Sequence, residues 1–114
     1  MNLGIYVHIP FCVSKCEYCN FYSITRLDLI NDYVLSLVKE IKRESKKYAE
    51  FNVDTIFIGG GTPSIVYEGF IASLSRKLFS SFHFAEKTEF TIEVNPSSFT
   101  REKFFEYVES GVNR

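Results

Sequence analysis

The sequence predicts an α/β fold built on a parallel sheet. Three short apolar runs alternate along the 114 residues with three stretches whose apolar residues recur every three or four positions. Near-continuous apolar runs are typical of parallel strands that helices cover, and strand–helix–strand units of this kind cross over with a right hand. We therefore expect one domain over residues 1–114, with elements in the order βαβαβα.

The first strand is predicted over GIYVHI, residues 4–9, and the first helix from about residue 28 to about residue 48. The apolar face of this helix consists of Ile30, Tyr33, Val34, Leu37, Val38 and Ile41. The second strand is DTIFIGGG, and the second helix carries Phe70, Ile71, Leu74 and Leu78 on one face. Gly69 weakens the prediction for the first turn of that helix.

The third strand is predicted over EFTIEV, and Asn95 and Pro96 end it. The third helix is expected to begin after Thr100 and to end at Gly111, with Phe104, Phe105 and Val108 on one side. The phenylalanines interpreted as core are Phe51, Phe57, Phe79, Phe82, Phe84, Phe104 and Phe105. The last residues, SGVNR, come where a fourth strand would begin, so we expect the chain to be truncated before strand 4 of a larger barrel or open sheet.

Composition excludes several classes of function. The net charge is -1 and the charges are interspersed, so no basic stripe indicates nucleic acid as the main partner. No apolar run approaches the roughly 18 residues of a membrane-spanning helix, and the N-terminus does not resemble a secretory signal. A tight cluster of thiols is typical of a reducing compartment, so we expect a cytoplasmic protein.

Chemically distinctive residues follow each predicted strand at once. HIPFCVSKCEYC follows the first strand, GGGTPS follows the second, and Glu93 with NPSS lies at the end of the third. In parallel α/β folds, ligands bind at the carboxyl ends of the strands. The three segments therefore predict one shared site.

Cys12, Cys16 and Cys19 have the spacing C-x3-C-x2-C, which is short enough to wrap one cubane iron–sulfur cluster. The fourth iron would then lack a protein ligand. A closed zinc site is the alternative and needs His8 as its fourth ligand. A nucleophilic cysteine is not favoured, because the pattern does not place a single thiol beside a base.

The other two segments leave alternatives open. Glycines 59–61 either let a ligand approach the backbone or only turn a strand into a loop. A phosphate-binding loop is not favoured, since no Gly-Lys-Ser/Thr follows. Glu93 is either a ligand-binding carboxylate or a residue on a solvated face. His8 is interpreted as a satisfied core histidine rather than a proton donor.

Taken together, YVHIPFCVSKCEYCNFYS, IGGGTPS and IEVNP resemble the HemN/HemW group of the radical S-adenosylmethionine superfamily. This group contains the oxygen-independent coproporphyrinogen III oxidases and their haem-chaperone relatives. The resemblance implies the first half of a partial (β/α)6 barrel, related to the TIM fold. It also implies a [4Fe–4S] cluster on Cys12, Cys16 and Cys19, and S-adenosylmethionine as the second cofactor.

The resemblance implies a set of contacts to S-adenosylmethionine at Tyr6, Tyr18, Gly60, Gly61, Thr62 and Glu93, and it assigns no separate catalytic residue. Its implied partners are haem or a porphyrin, for the full-length protein, and an electron donor such as flavodoxin or ferredoxin. The oxidases carry a further cysteine two residues after the third, where this chain has Phe21. That difference favours a haem chaperone. The alternatives are the oxidase, an inactive half-barrel with an exposed strand edge, and a Cys3His zinc module.

Overall fold

The computed structural model describes residues 2–11, 27–61, 66–96 and 99–114. Its three strands form one parallel sheet in the order β1-β2-β3. The strands are β1 (Asn2–Ile9), β2 (Asn52–Gly60) and β3 (His83–Ile92). The helices are α1 (Ile30–Lys47), α2 (Phe70–Ser81) and α3 (Arg101–Ser110). The predicted βαβαβα order is confirmed.

The strands are longer at their amino ends than predicted. Strand β1 begins at Asn2, and β3 begins at His83, six residues before EFTIEV. The start of β3 is polar and is held by pairing with β2, because Asn52 lies opposite His83. Val53 then pairs with Phe84 but Thr55 pairs with Glu89, so residues 85–88 bulge out of the ladder. Backbone pairing with β2 therefore determines where β1 and β3 begin. Pairing of this kind produces no pattern of apolar residues in the sequence.

One face of the sheet forms the core with the helices. The buried strand residues on this face are Val7, Ile9, Val53, Ile56, Ile58, Phe90 and Ile92, each at most 9% exposed. The helices cover them with Ile41, Phe70, Ile71, Leu74, Leu78 and Tyr107. Four phenylalanines assigned to the core are instead exposed, so that prediction was wrong for Phe57, Phe79, Phe104 and Phe105. Helix α3 turns Tyr107 inward, which leaves Phe104 and Phe105 outside.

The ends of α2 and α3 are fixed by polar contacts. The Thr100 hydroxyl accepts from the backbone N–H of Lys103 at 3.2 Å, and Gly111 ends α3 with a φ of 107°. Gly69 precedes α2 rather than lying in its first turn, and no side chain at that position caps the helix. The Glu106 carboxylate caps it from α3, accepting from the N–H groups of Gly69 at 2.8 Å and Ala72 at 2.9 Å.

The outer edge of β3 is partly covered. The backbone N–H groups of Asn113 and Arg114 donate to the Phe90 carbonyl, and the Ile92 N–H donates to the Arg114 carbonyl. The Asn113 side-chain oxygen accepts from the Phe90 N–H at 2.9 Å. The expectation of an exposed edge is therefore wrong at Phe90 and Ile92. Among the described helices, none has the length and apolar character needed to cross a membrane.

Candidate functional site

The candidate site lies on the second face of the sheet, at the carboxyl ends of the strands. Side chains alternate along a strand, so the residues between the core positions face the other way. Across the sheet, Tyr6 pairs with Phe57, and Phe57 pairs with Thr91. Two residues further along the strands, His8 pairs with Gly59, and Glu93 lies beside Gly59. We call this surface the open face and define it by Tyr6, His8, Phe57, Gly59, Thr91 and Glu93.

Tyr6 is the central aromatic residue of the open face. Its ring stacks on Phe57 with 5.9 Å between centroids, and its side chain remains 57% exposed. Its hydroxyl is hydrogen-bonded to Nδ1 of His8 at 2.9 Å. Partial burial raises the pKa of Tyr6, and the negative charge of Glu93 raises it further. The hydroxyl therefore stays protonated at neutral pH, and the tautomer of the His8 imidazole sets which partner donates in the bond between them.

Glu93 and Phe57 meet above Gly59. A Cβ atom on Gly59 would lie 2.8 Å from Cε1 of Phe57 and 3.0 Å from Oε1 of Glu93. The missing side chain is thus what allows the ring and the carboxylate to lie over the backbone of β2. Glu93 is exposed, as the solvated-face alternative expected, and its backbone N–H donates to the Ile58 carbonyl at 3.0 Å. The backbone of Glu93 is consequently anchored, while its side chain is accessible to a ligand.

Gly60 and Gly61 lie against the residues that leave β1. Gly60 has a φ of 118°, and a Cβ atom there would be 2.6 Å from the carbonyl oxygen of Ile9. A Cβ atom on Gly61 would be 2.7 Å from the carbonyl oxygen of Phe11, and the Gly61 N–H donates to the Ile9 carbonyl at 2.8 Å. Close packing of the chain on itself therefore requires these glycines. Their contact with S-adenosylmethionine stays a prediction.

We define the exit of β1 as residues 8–11. Besides its contacts with Gly60 and Gly61, this segment is held by α1. The Tyr33 hydroxyl donates to the backbone carbonyl of His8. The Phe11 ring is 1% exposed and meets the Tyr33 ring edge-on, with 5.4 Å between centroids. Within the exit of β1, His8, Ile9 and Phe11 are thus each held by a hydrogen bond or by packing.

Several predicted site residues lie outside the described residues, namely Cys12, Cys16, Tyr18, Cys19 and Thr62. Their assignments as ligands stay predictions. Within the described ranges, no group of three or more histidine, cysteine or acidic side chains could hold a metal ion. His8 is half-buried beside Tyr6 on the open face rather than in the core under the helices.

Sequence reasoning missed the positions of Phe57 and Tyr33 at the site. Phe57 was assigned to the core because its strand is apolar throughout, although Ile56 and Ile58 on either side point to the core. Strict alternation would have placed Phe57 on the opposite face. Tyr33 was assigned to the apolar face of α1, and only its hydroxyl could have indicated a polar role.

The chain is similar to known proteins over nearly its whole length. It is 36% identical over 114 residues to the "Heme chaperone HemW" of Buchnera aphidicola (subsp. Schizaphis graminum), covering 98% of this chain and 30% of that protein. The Escherichia coli K12 protein of the same name gives the same figures of 36%, 98% and 30%. The chain thus spans about 30% of the length of these relatives.

A solved structure has the same fold. The coproporphyrinogen III oxidase HemN from Escherichia coli, described as a radical SAM enzyme, superimposes with a TM-score of 0.90 and 30% sequence identity. The match covers 97% of this chain and 26% of that one. Residues 6–114 also match the family model of the Radical SAM superfamily. The parallel sheet, the site at its carboxyl ends and these similarities together show that the chain belongs to the Radical SAM superfamily.

Proposed function

We propose that the chain is the cofactor-binding part of a HemW-type haem chaperone. Cys12, Cys16 and Cys19 hold a [4Fe–4S] cluster, and residues of the open face bind S-adenosylmethionine beside it. The family match over residues 6–114 supports the cofactors, and the 36% identity to HemW proteins supports the chaperone. The observation that carries the proposal is that Tyr6 and Glu93 lie on the same open face, near the carboxyl ends of the strands where ligands bind.

The residues present fit these cofactors. Three thiolates within eight positions suit an iron–sulfur cluster, whose irons are held by cysteine thiolates. The exposed carboxylate of Glu93 can accept hydrogen bonds from ribose hydroxyls or an ammonium group, and the Tyr6 hydroxyl can donate or accept beside it. Cys12, Cys16 and Cys19 would hold the cluster, which with S-adenosylmethionine would supply one-electron redox chemistry at this site.

The chain itself contributes binding and orientation. Glu93 supplies negative charge, which favours the positively charged groups of the ligand. The Phe57 ring supports one face of Tyr6, and His8 holds its hydroxyl, so the orientation of Tyr6 is fixed before a ligand arrives. The remaining predicted contacts to S-adenosylmethionine are the backbones of Gly60 and Gly61, with Tyr18 and Thr62.

Oxygen-independent coproporphyrinogen III oxidation is the second candidate function. The TM-score of 0.90 with HemN favours it, while Phe21, in place of the further cysteine of the oxidases, favours the chaperone. Titration of the full-length protein with haem, followed by its absorption spectrum, separates the two. Stoichiometric haem binding without decarboxylation of coproporphyrinogen III supports the chaperone, and the reverse result supports the oxidase.

Anaerobic reconstitution of the full-length protein with iron and sulfide tests the cofactor assignment. We expect about four irons and four sulfides per chain, and an EPR signal of the reduced protein that changes when S-adenosylmethionine is added. Cys12→Ala, Cys16→Ala and Cys19→Ala should each lose the cluster, because residues 12–19 offer it only these three thiolates. Full occupancy in one of them, or stoichiometric zinc instead of iron, would contradict the proposal.

Glu93→Gln separates cofactor binding from cluster binding. The substitution removes the charge and keeps the size, so we expect a normal iron content and at least a tenfold weaker affinity for S-adenosylmethionine, from the loss of one charged hydrogen bond. Glu89→Gln, which lies four residues earlier, within β3, and is bonded to Arg114, is the matched control. Equal affinities in wild type and Glu93→Gln would return Glu93 to the solvated-face interpretation.

A further inference from the structure

The exit of β1 leads directly into the cysteine segment, since Phe11 is followed by Cys12. On the side of β2 the exit is held by the bond from the Gly61 N–H to the Ile9 carbonyl, at 2.8 Å. Successive carbonyls of a strand point in opposite directions. The His8 carbonyl therefore points away from β2, toward the outer edge of the sheet.

Strand β1 is an outer strand of the sheet that the described residues form, so β2 cannot serve the His8 carbonyl. A strand carbonyl at such an edge needs a partner from water or from a side chain. Tyr33 provides one, since its hydroxyl reaches the His8 carbonyl from α1, 25 residues further along the chain. The hydroxyl thus takes the place that a neighbouring strand would occupy.

Tyr33 contacts the exit at a second point. Its ring meets the buried Phe11 ring edge-on, at an angle of 84°. Burial raises the pKa of Tyr33 to about 12, with further contributions from Glu40 and then Tyr6. The hydroxyl consequently stays protonated, and remains a donor, throughout the pH range in which the protein would work.

We propose that Tyr33 is a positioning residue for the cluster site: its hydroxyl and ring fix the last residues of β1 and so fix where the cysteine segment leaves the sheet. The inference rests on the proposed function, because it matters only if Cys12 is a cluster ligand. Tyr33 acts through the backbone of residues 8–11 and touches no cofactor itself. It is also distinct from every residue that the sequence assigned to the site.

Two substitutions at Tyr33 test the inference in the full-length protein, reconstituted anaerobically. Tyr33→Phe removes the bond to the His8 carbonyl and keeps the ring, whereas Tyr33→Leu removes both contacts. We expect Tyr33→Phe to lose iron to a chelator about fivefold faster than wild type, which corresponds to one lost hydrogen bond. Its reduced cluster should also give an altered EPR line shape with S-adenosylmethionine, a property that general stability does not set.

Two control variants distinguish positioning from stability. Tyr48→Phe makes the same chemical change at the other end of α1, where the Tyr48 ring packs on Phe51. Ser75→Ala removes a buried hydroxyl that donates to the Ser110 carbonyl at 2.6 Å, so it loses one hydrogen bond far from β1. Both variants should keep the wild-type rate of iron loss and the wild-type EPR spectrum.

Wild-type behaviour of Tyr33→Phe in both measurements would overturn the inference and leave the proposed function standing. Equal acceleration of iron loss in Ser75→Ala would overturn it too, because the effect would then be one of stability. A wild-type protein that binds no cluster would instead refute the proposed function. Tyr33→Phe decides the question even if Tyr33→Leu does not fold.

Discussion

The two faces of the sheet use the same three strands for different purposes. On the core face, the buried strand side chains are aliphatic or phenylalanine and are at most 9% exposed under the helices. On the open face, Tyr6 is 57% exposed and Phe57 is 38% exposed, and they lie with His8 and Glu93. Each strand therefore alternates between a residue that stabilises the fold and a residue that is available to a ligand.

From this division of the sheet we expect stability and binding to be separable at single-residue resolution. Ile58 and Phe57 are consecutive, yet one is completely buried and the other borders the candidate site. Substitutions on the core face should change the free energy of unfolding. Substitutions on the open face should change ligand affinity with little effect on unfolding. The predictions below test that separation.

Ile58→Ala and Phe57→Ala give the largest contrast. Ile58 is 0% exposed, so its truncation leaves a cavity and should lower the free energy of unfolding by about 3 kcal/mol. Phe57→Ala removes the larger side chain but from a half-open position, and it should cost about 1 kcal/mol. Urea unfolding of the metal-free protein measures both values. Equal losses would show that something covers the open face as tightly as the helices cover the core.

Gly60→Ala and Gly69→Ala form a second matched pair. Both glycines have a positive φ, at 118° and 93°, but only at Gly60 would a Cβ atom meet backbone, 2.6 Å from the Ile9 carbonyl oxygen. We expect Gly69→Ala to cost about 1 kcal/mol of unfolding free energy from backbone strain alone. Gly60→Ala should cost about 2 kcal/mol or more, since contact adds to strain. Similar losses in the two variants would mean that the exit of β1 shifts easily.

Much of the fold could be predicted because its signals are local. The α1 face repeats every three to four residues, and the Thr100 cap and the Gly111 stop are visible in the sequence and confirmed in the structure. The amino ends of β1 and β3 could not be found, because they depend on pairing with β2 rather than on apolar residues. The cap that Glu106 provides for α2 joins residues 34 or more positions apart, so no local pattern predicts it.

The site was predicted where chemistry alone identifies a residue. Three clustered cysteines and a carboxylate at the end of an apolar strand are visible without coordinates. Phe57 was missed because a strand with apolar residues on both faces does not indicate which side chains face the site. Tyr33 was missed because its role depends on the direction of one backbone carbonyl, which only the paired sheet defines.

Tyr107→Phe tests how one buried polar atom affects the stability of the core. Tyr107 is 4% exposed, and among the described residues its hydroxyl has no hydrogen-bond partner. Removing this hydroxyl should raise the free energy of unfolding at pH 7 by about 1 kcal/mol. A loss of stability on substitution would indicate a partner for the hydroxyl.

The same variant should change the response to alkaline pH. Burial raises the pKa of Tyr107 to about 12, with a further contribution from Glu106, from an ordinary value of 10.0. The folded state therefore keeps this proton while the unfolded state loses it, so wild-type stability should fall as pH rises from about 10 to about 12. Tyr107→Phe should fall less steeply over that interval in urea titrations at each pH. Parallel curves would contradict the raised pKa.

Tyr6→Phe should have the smallest effect on unfolding and a clear one on binding. The hydroxyl bonded to His8 lies on an exposed side chain, so its loss should change the free energy of unfolding by less than about 0.5 kcal/mol. Under the proposed function, affinity for S-adenosylmethionine should drop severalfold, because Tyr6 would lose the hydroxyl that bonds to His8 and orients the ring. Tyr67→Phe, on a tyrosine that is 50% exposed and packs on Phe70, should change neither quantity. We expect the separation of stability and binding between the two faces to be clearest at Tyr6. A Tyr6→Phe variant that loses stability but keeps its affinity for S-adenosylmethionine would contradict that separation.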